Sequence, residues 1–226
     1  MRLEPLADDA WLIHVGIAVD ATTNAQVHAL AARIRAQSPA WLRDLVPAYT
    51  SLAVFFDIGA VSADVVRDWI HMQPVGDVDD ALAEASHTIE IPVRYGGAFG
   101  EDLDAAAAEL GIAADTVIAR HGAALYTVAM IGFAPGFPYL SGLDPSLALP
   151  RLATPRTRVP AGSVAIGGAQ TGIYPRESPG GWRLLGRTPL RLFDPQRASP
   201  SLLAPGDRVR FVAIDDDAFA RLERDA

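Results

Sequence analysis

The sequence predicts an α+β fold in two parts. A small N-terminal α/β sandwich over residues 1–87 is followed by a second domain, residues 88–226, of short strands closed as a barrel or stacked as a sandwich. Up to about residue 90, apolar residues recur by turns at strand and helix spacing. From Gly132 to Pro195, glycine or proline interrupts the chain every few residues, which leaves room only for short strands and tight turns. No internal repeat and no low-complexity linker is found.

The elements follow in order. Trp11-Leu12-Ile13-His14-Val15 is a short apolar strand. Asp20, or Thr22 or Thr23, caps a helix that carries Val27, Leu30, Ala31 and Ile34 on one face, and Pro39 ends it. Leu45-Val46-Pro47-Ala48-Tyr49 and Ser51–Phe56 are two strands joined around Thr50. Ser62 caps a second helix with Val65, Val66, Trp69 and Ile70 as its apolar face. An acidic stretch from Gln73 to Glu84 leads to the strand Thr88–Val93, giving a βαββαβ order, that of a split βαβ sandwich. Helical stretches at Asp102–Leu110 and Asp115–His121 precede the strand Tyr126–Ile131. Ser163–Ile166, Trp182–Gly186, Leu190–Phe193 and Arg208–Val212 complete the strands, a count and length that fit a barrel or sandwich. Ala204–Asp207 turns the chain into the last of them, and the acidic tail from Asp215 reads as a solvated end helix.

Composition removes several kinds of chemistry. The chain has no cysteine, so disulfides, thiolate nucleophiles and zinc–thiolate sites are excluded. All 19 of its basic residues are arginine, which excludes a Walker A lysine, a Schiff-base lysine and a lysine general base. A net charge of −8 argues against a nucleic-acid partner, since neutralising phosphates needs a basic face. No apolar run reaches the roughly 18 residues of a membrane span. Met1-Arg2-Leu3-Glu4-Pro5 has no apolar core of a secretion signal, so a cytoplasmic protein is expected, without membrane contact. The five histidines show no metal-ligand spacing, and no metal site is expected. Ser163 and Ser178 have glycine neighbours but neither sits in a Gly-x-Ser-x-Gly elbow.

Four stretches within about sixty residues together suggest a ligand pocket. In Gly132-Phe133-Ala134-Pro135-Gly136-Phe137-Pro138-Tyr139-Leu140, glycines and prolines make a rigid loop. Its Phe133, Phe137 and Tyr139 either line a pocket or plug one end of the barrel. Arg156 and Arg158 stand at alternate positions between prolines and project from one face of an extended segment. Guanidinium forks there suit a carboxylate or phosphate, the alternative being two solvated arginines. Gly167-Gly168 is either an anion-binding nest or a hairpin turn, and Gln170 offers an amide that both donates and accepts. Ser178-Pro179-Gly180-Gly181 completes the set. His121, ending a helix just before a strand, is the histidine singled out.

Read in order, these strings resemble one family. Gly132–Leu140, Thr154–Ile166, Gln170–Pro175, Ser178–Trp182, Gly186-Arg187-Thr188-Pro189-Leu190 and Leu192-Phe193-Asp194-Pro195 are similar to the signature of the Kip-inhibitor/allophanate hydrolase subunit 1 family, the carboxyltransferase subdomain C and D type. Ile91-Pro92-Val93, Tyr95-Gly96-Gly97 and Pro205–Val209 extend the resemblance, and Val46–Tyr49 and Ser51-Leu52 add a looser match, so that it spans roughly residues 10 to 213. It implies an N-terminal α/β domain and a C-terminal cyclophilin-like β-barrel.

It also implies an activity and partners. Members act as the B subunit of an ATP-dependent 5-oxoprolinase, which opens the lactam 5-oxoproline to L-glutamate. They do so with a homologous C subunit of the allophanate hydrolase subunit 2 type and a third, lactam-utilisation subunit. Other members inhibit a sporulation sensor histidine kinase or belong to allophanate- and urea-processing enzymes. On this reading Arg156 or Arg158 holds the substrate carboxylate and Gln170 reads the lactam. The loop with Phe133, Pro135, Gly136, Phe137 and Tyr139 lines the site, the Ser178-Pro179-Gly180-Gly181 backbone stabilises developing charge, and His121 moves a proton. ATP is the cosubstrate of the complex, and no residues that bind it are readable in this chain.

Overall fold

Strands that alternate one apolar and one polar residue can bury only one face, and the first part of the chain covers that face with two helices. The computed structural model describes residues 1–74 and 88–225 and divides into two units, Met1–Ser86 and His87–Ala226. The expected boundary at residues 87/88, most of the acidic stretch before it and His87 lie outside the described residues. In the first unit, β1 (Arg2–Ala7), β2 (Ala10–His14), β3 (Leu42–Pro47) and β4 (Ser51–Phe56) form an antiparallel sheet of order β1-β2-β4-β3. Ile13, Leu52, Val54 and Phe56 face α1 (Ala21–Gln37) and α2 (Ala63–His71), which contribute Val27, Leu30, Ile34, Val66 and Ile70 to a common core.

The helix ends obey local chemistry. Asp20 caps α1 by accepting the Thr23 N–H at 2.7 Å, and Ser38, at φ 41°, closes it one residue before Pro39. Ser62 caps α2. Val65 is a correction: with Val66 and Ile70 turned inward, it sits about a hundred degrees round the helix and is exposed. The element order is another. The unit is ββαββα, because β1 precedes the first expected strand and Thr88–Val93 belongs elsewhere. Pro5 and the charges of Arg2 and Glu4 disguise β1, yet they are what an edge strand tolerates.

The second unit holds a closed barrel. Its strands are β5 (Thr88–Tyr95), β6 (Tyr126–Ile131), β7 (Pro138–Ser141), β9 (Ser163–Gly167), β10 (Gln170–Ile173), β12 (Arg183–Arg187) and β13 (Arg208–Ala213). They pair in the order β10-β7-β6-β13-β5-β12-β9. A separate ribbon pairs β8 (Arg156–Val159) with β11 (Ser178–Gly180). Ile91, Val93, Val128, Leu140, Val164, Ile166 and Phe211 fill the barrel, and α3 (Leu103–Leu110) and α4 (Ala114–Ala123) add Ala106 and Val117. The barrel closes where β13 runs parallel to β5, with Arg208 beside Thr88.

Two expectations change here. Leu190–Phe193 is not a strand: flanked by Pro189 and Pro195, it makes only an isolated bridge from Phe193 to Ser201, while Leu192 is buried in the barrel core. The tail helix α5 (Asp216–Asp225) is solvated on one side only, since Phe219 is buried against Phe99 at a ring separation of 4.6 Å. Among the described residues, no helix is long and apolar enough to cross a membrane.

Candidate functional site

Alternation along β9 turns Val164 and Ile166 into the barrel and Ser163, Ala165 and Gly167 to its outer face. Strand pairing then sets out an outer row, Tyr139–Gly172–Ala165–Leu184, across β7, β10, β9 and β12. Over this row lie Ala134 and Phe137 from the Gly132–Leu140 loop, Val159 from the ribbon, and Tyr174 and Trp182. Phe137 is the hub. Its ring centroid is 4.9 Å from Tyr139, 5.2 Å from Tyr174, 5.8 Å from Trp182 and 5.3 Å from Phe133. Phe133 itself is exposed and held at φ 66°, a strained conformation for a side chain of its size. Pro135 is exposed at the tip of the same loop, and Gly136 is buried below it.

Two of the rings come this close to the backbone because glycine stands under them. A Cβ at Gly167 would meet Trp182 at 2.7 Å, and one at Gly180 would meet the Tyr174 Oη at 2.3 Å. Gly180→Ala is therefore expected to cost about 1–3 kcal/mol by overpacking. It should also alter the near-ultraviolet circular dichroism as Tyr174 is displaced. Gly168, at φ 65°, starts the two-residue turn between β9 and β10, so the Gly167-Gly168 pair is a hairpin turn rather than a nest.

At one side of this aromatic face stands Arg156. Its Nη2 donates to Asp102 at 2.6 Å, and its Nε is 2.9 Å from Glu101. The other Asp102 oxygen accepts the Leu184 N–H at 2.7 Å, so the carboxylate ties the head of α3 to β12 and to the ribbon instead of capping its own helix. Burial works against the charge on Arg156, but the bonds and charges of Asp102 and Glu101 outweigh it and raise its pKa. The remaining Arg156 nitrogen, Nη1, is buried with no hydrogen-bond partner among the described residues, and so is Ser178 Oγ. Tyr174 is nearby: burial pushes its hydroxyl up, while the Trp182 backbone N–H and the charges of Arg151 and Arg156 pull the other way. Arg151 also stacks on Trp182 at 5.6 Å.

The two arginines that the sequence could not separate have different fates. Arg158 is largely exposed and held by both oxygens of Glu177, at 3.0 and 2.8 Å. Gln170 lies on the outer face with Gly172, roughly 7 Å along the strand, because Thr171 between them points inward. Phe133, Phe137, Tyr139, Gln170, Arg156, Ser178 and Gly180 thus belong to one region of the outer surface, with Pro179 exposed and Gly181 bonded through its carbonyl to the Leu152 N–H at 2.7 Å.

His121 lies on the opposite side of β10. It is fully buried, 4.5 Å from Phe211 ring to ring, with both nitrogens engaged: Nδ1 with Tyr95 Oη at 2.8 Å and Nε2 with Thr171 Oγ1 at 3.0 Å. The Thr171 hydroxyl donates to the Ala165 carbonyl at 3.0 Å, so it accepts from Nε2–H, and Nδ1 accepts from the Tyr95 hydroxyl. Burial pushes the His121 pKa down to about 3. This imidazole is neutral and enclosed.

Sequence reasoning missed four members of this region. Tyr174 and Trp182 stand within the glycine-rich strings but carry no signal of their own, Asp102 reads only as a helix start, and nothing in the sequence singles out Arg151. Among the described residues, no group of three or more His, Asp or Glu side chains is placed to hold a metal ion.

The 5-oxoprolinase B subunit of Bacillus subtilis is 42% identical over 227 residues, covering 96% of this chain and 95% of that protein. The crystal structure of TTHA0988 superposes with a TM-score of 0.79 at 41% identity over 91% of this chain, which spans 40% of that longer protein. The urea amidolyase of Kluyveromyces lactis shares the fold, with a TM-score of 0.72 at 19% identity, and this chain spans 15% of it. The family model for the carboxyltransferase domain, subdomain C and D, matches residues 1–203, and with a relative aligned over nearly its whole length, this chain belongs to that family.

Proposed function

We propose that this chain is the B subunit of an ATP-dependent 5-oxoprolinase and opens 5-oxoproline to L-glutamate with a homologous C subunit and a third, lactam-utilisation subunit. The observation that carries the reading is Arg156: two acids fix its guanidinium, and one buried nitrogen, Nη1, remains without a partner beside an aromatic wall. A small cyclic carboxylate matches that combination, with its ring against Phe137 and Tyr139 and its carboxylate on Nη1 and Ser178 Oγ. The Gln170 amide, on the same face, suits a lactam, which presents one carbonyl and one N–H. The Ser178-Pro179-Gly180-Gly181 backbone lies where negative charge would develop as the ring opens. ATP is the cosubstrate that drives the opening. His121 serves as a brace behind β10 rather than as a proton carrier, because both its nitrogens are committed to the core.

The name of the Bacillus subtilis relative supports this substrate and a multisubunit enzyme. The test is ATP-dependent glutamate release from 5-oxoproline by this chain alone and then with its candidate partner subunits. Release only in the full mixture is expected. No release from folded, associated subunits would move the assignment to ureido substrates.

A further inference from the structure

Ser163, Arg187 and Arg94 stand side by side on β9, β12 and β5, since Arg187 pairs with Ser163 on one side and with Arg94 on the other. Residues level with each other on neighbouring strands share a face. Here it is the outer face, because the adjoining Val164 and Tyr95 point into the barrel core. Phe99 lies across the two arginines, its ring 5.5 Å from the Arg187 guanidinium and 5.9 Å from that of Arg94. Arg94 is paired with Asp216 and bonds the Tyr95 carbonyl. Arg187 has no acidic partner among the described residues.

Two donors of this row are buried and unanswered. Arg187 Nε has no hydrogen-bond partner among the described residues, and neither has the Oγ of Ser163, a residue only 1% exposed. Buried donors without acceptors are rare in folded proteins and costly to keep. Gly162 makes room for the arrangement: a Cβ there would stand 3.1 Å from Arg187 Cγ. Arg94 is offset by Asp216, while Arg187 keeps an unpaired charge among the described residues, in a protein whose net charge is −8.

We propose that Arg187, Ser163 and Arg94 form an anion site, separate from the Arg156 region, that receives a phosphate group. The donors stand on three adjacent strands spaced about 4.8 Å apart and share one face, so they offer one ligand three separate groups. That suits a tetrahedral oxyanion. A planar carboxylate is satisfied by a single guanidinium fork. The proposal shares no residue with the lactam site and stands or falls apart from it.

The experiment follows the Arg187 Nε–H resonance of the full chain by nuclear magnetic resonance while inorganic phosphate is added. The resonance is assigned by its loss in Arg187→Lys. A saturable shift is expected, and Ser163→Ala should weaken the phosphate affinity by about tenfold, the loss of one hydrogen bond to a charged group. Ser163→Ala removes only an unpaired hydroxyl, so it decides the question even if Arg187→Lys does not fold. An ATP titration separates the sources: tighter binding than phosphate indicates a nucleotide-type ligand, equal binding indicates free phosphate. The absence of a saturable shift, an equal shift with acetate at the same ionic strength, or unchanged affinity in Ser163→Ala would overturn the proposal.

Discussion

Arg156→Ala in the assembled complex is expected to raise KM for 5-oxoproline by about a hundredfold, the loss of a buried charge-assisted contact to the carboxylate. Arg158→Ala should change KM by no more than about twofold, because its guanidinium is already held by Glu177 in solvent. The contrast is informative because the two residues are neighbours on one short strand and identical in chemistry. Arg156→Lys should fall between them: an ammonium keeps the charge, but its single nitrogen cannot span Asp102 and a ligand as a fork does. Arg156 also supports the fold, so its removal leaves Asp102 partly buried with only the Leu184 N–H, at a cost of about 3 kcal/mol. Thermal unfolding of each variant separates that cost from the binding effect, and steady-state glutamate release gives KM apart from kcat. An unchanged KM in folded Arg156→Ala would remove this residue from the site.

His121→Ala is expected to have the largest effect on stability, about 3–5 kcal/mol, by opening a cavity beside Phe211 and leaving the Tyr95 hydroxyl unanswered. Its pH dependence has a definite sign. The folded pKa of about 3 lies below the ordinary histidine value of about 6.5, so between those limits the unfolded chain takes up a proton that the folded chain refuses. The stabilisation is therefore complete above about pH 6.5 and declines by about 1.4 kcal/mol for each pH unit below it. Hydrogen exchange of the β9 and β10 amides at several pH values measures this. The wild-type protection should fall more steeply on acidification than that of His121→Gln, and parallel curves would show that this histidine does not report the acid sensitivity.

What the sequence made legible was what is local. The face of α1 with Val27, Leu30, Ala31 and Ile34, its Asp20 cap and its end before Pro39 depend on neighbours within a few residues. The partner of the Thr88 strand could not be read that way, because Arg208 lies far along the chain and nothing in either strand names the other. The same limit applied to the site. The glycine- and proline-rich strings marked stretches that the fold gathers on one outer face, since such strings are needed where rings lie against backbone. Arg156 and Arg158 could not be told apart, because the difference between them is the position of Asp102 and Glu177. His121 stands out in the sequence, but its role turns on burial, and a helix end before a strand does not disclose that.

The parallel pairing of β13 with β5 also bears on how the chain is made. β5 leaves the ribosome well before β13, and one of its edges is bare until that later strand arrives beside it. Until then the nascent second unit is an open sheet with exposed apolar strands, the state in which unpaired edges recruit other chains. A chain stopped at residue 203, where the family match ends, would lack Arg208–Ala213 and remain in that state, its β5 and β6 edges unjoined.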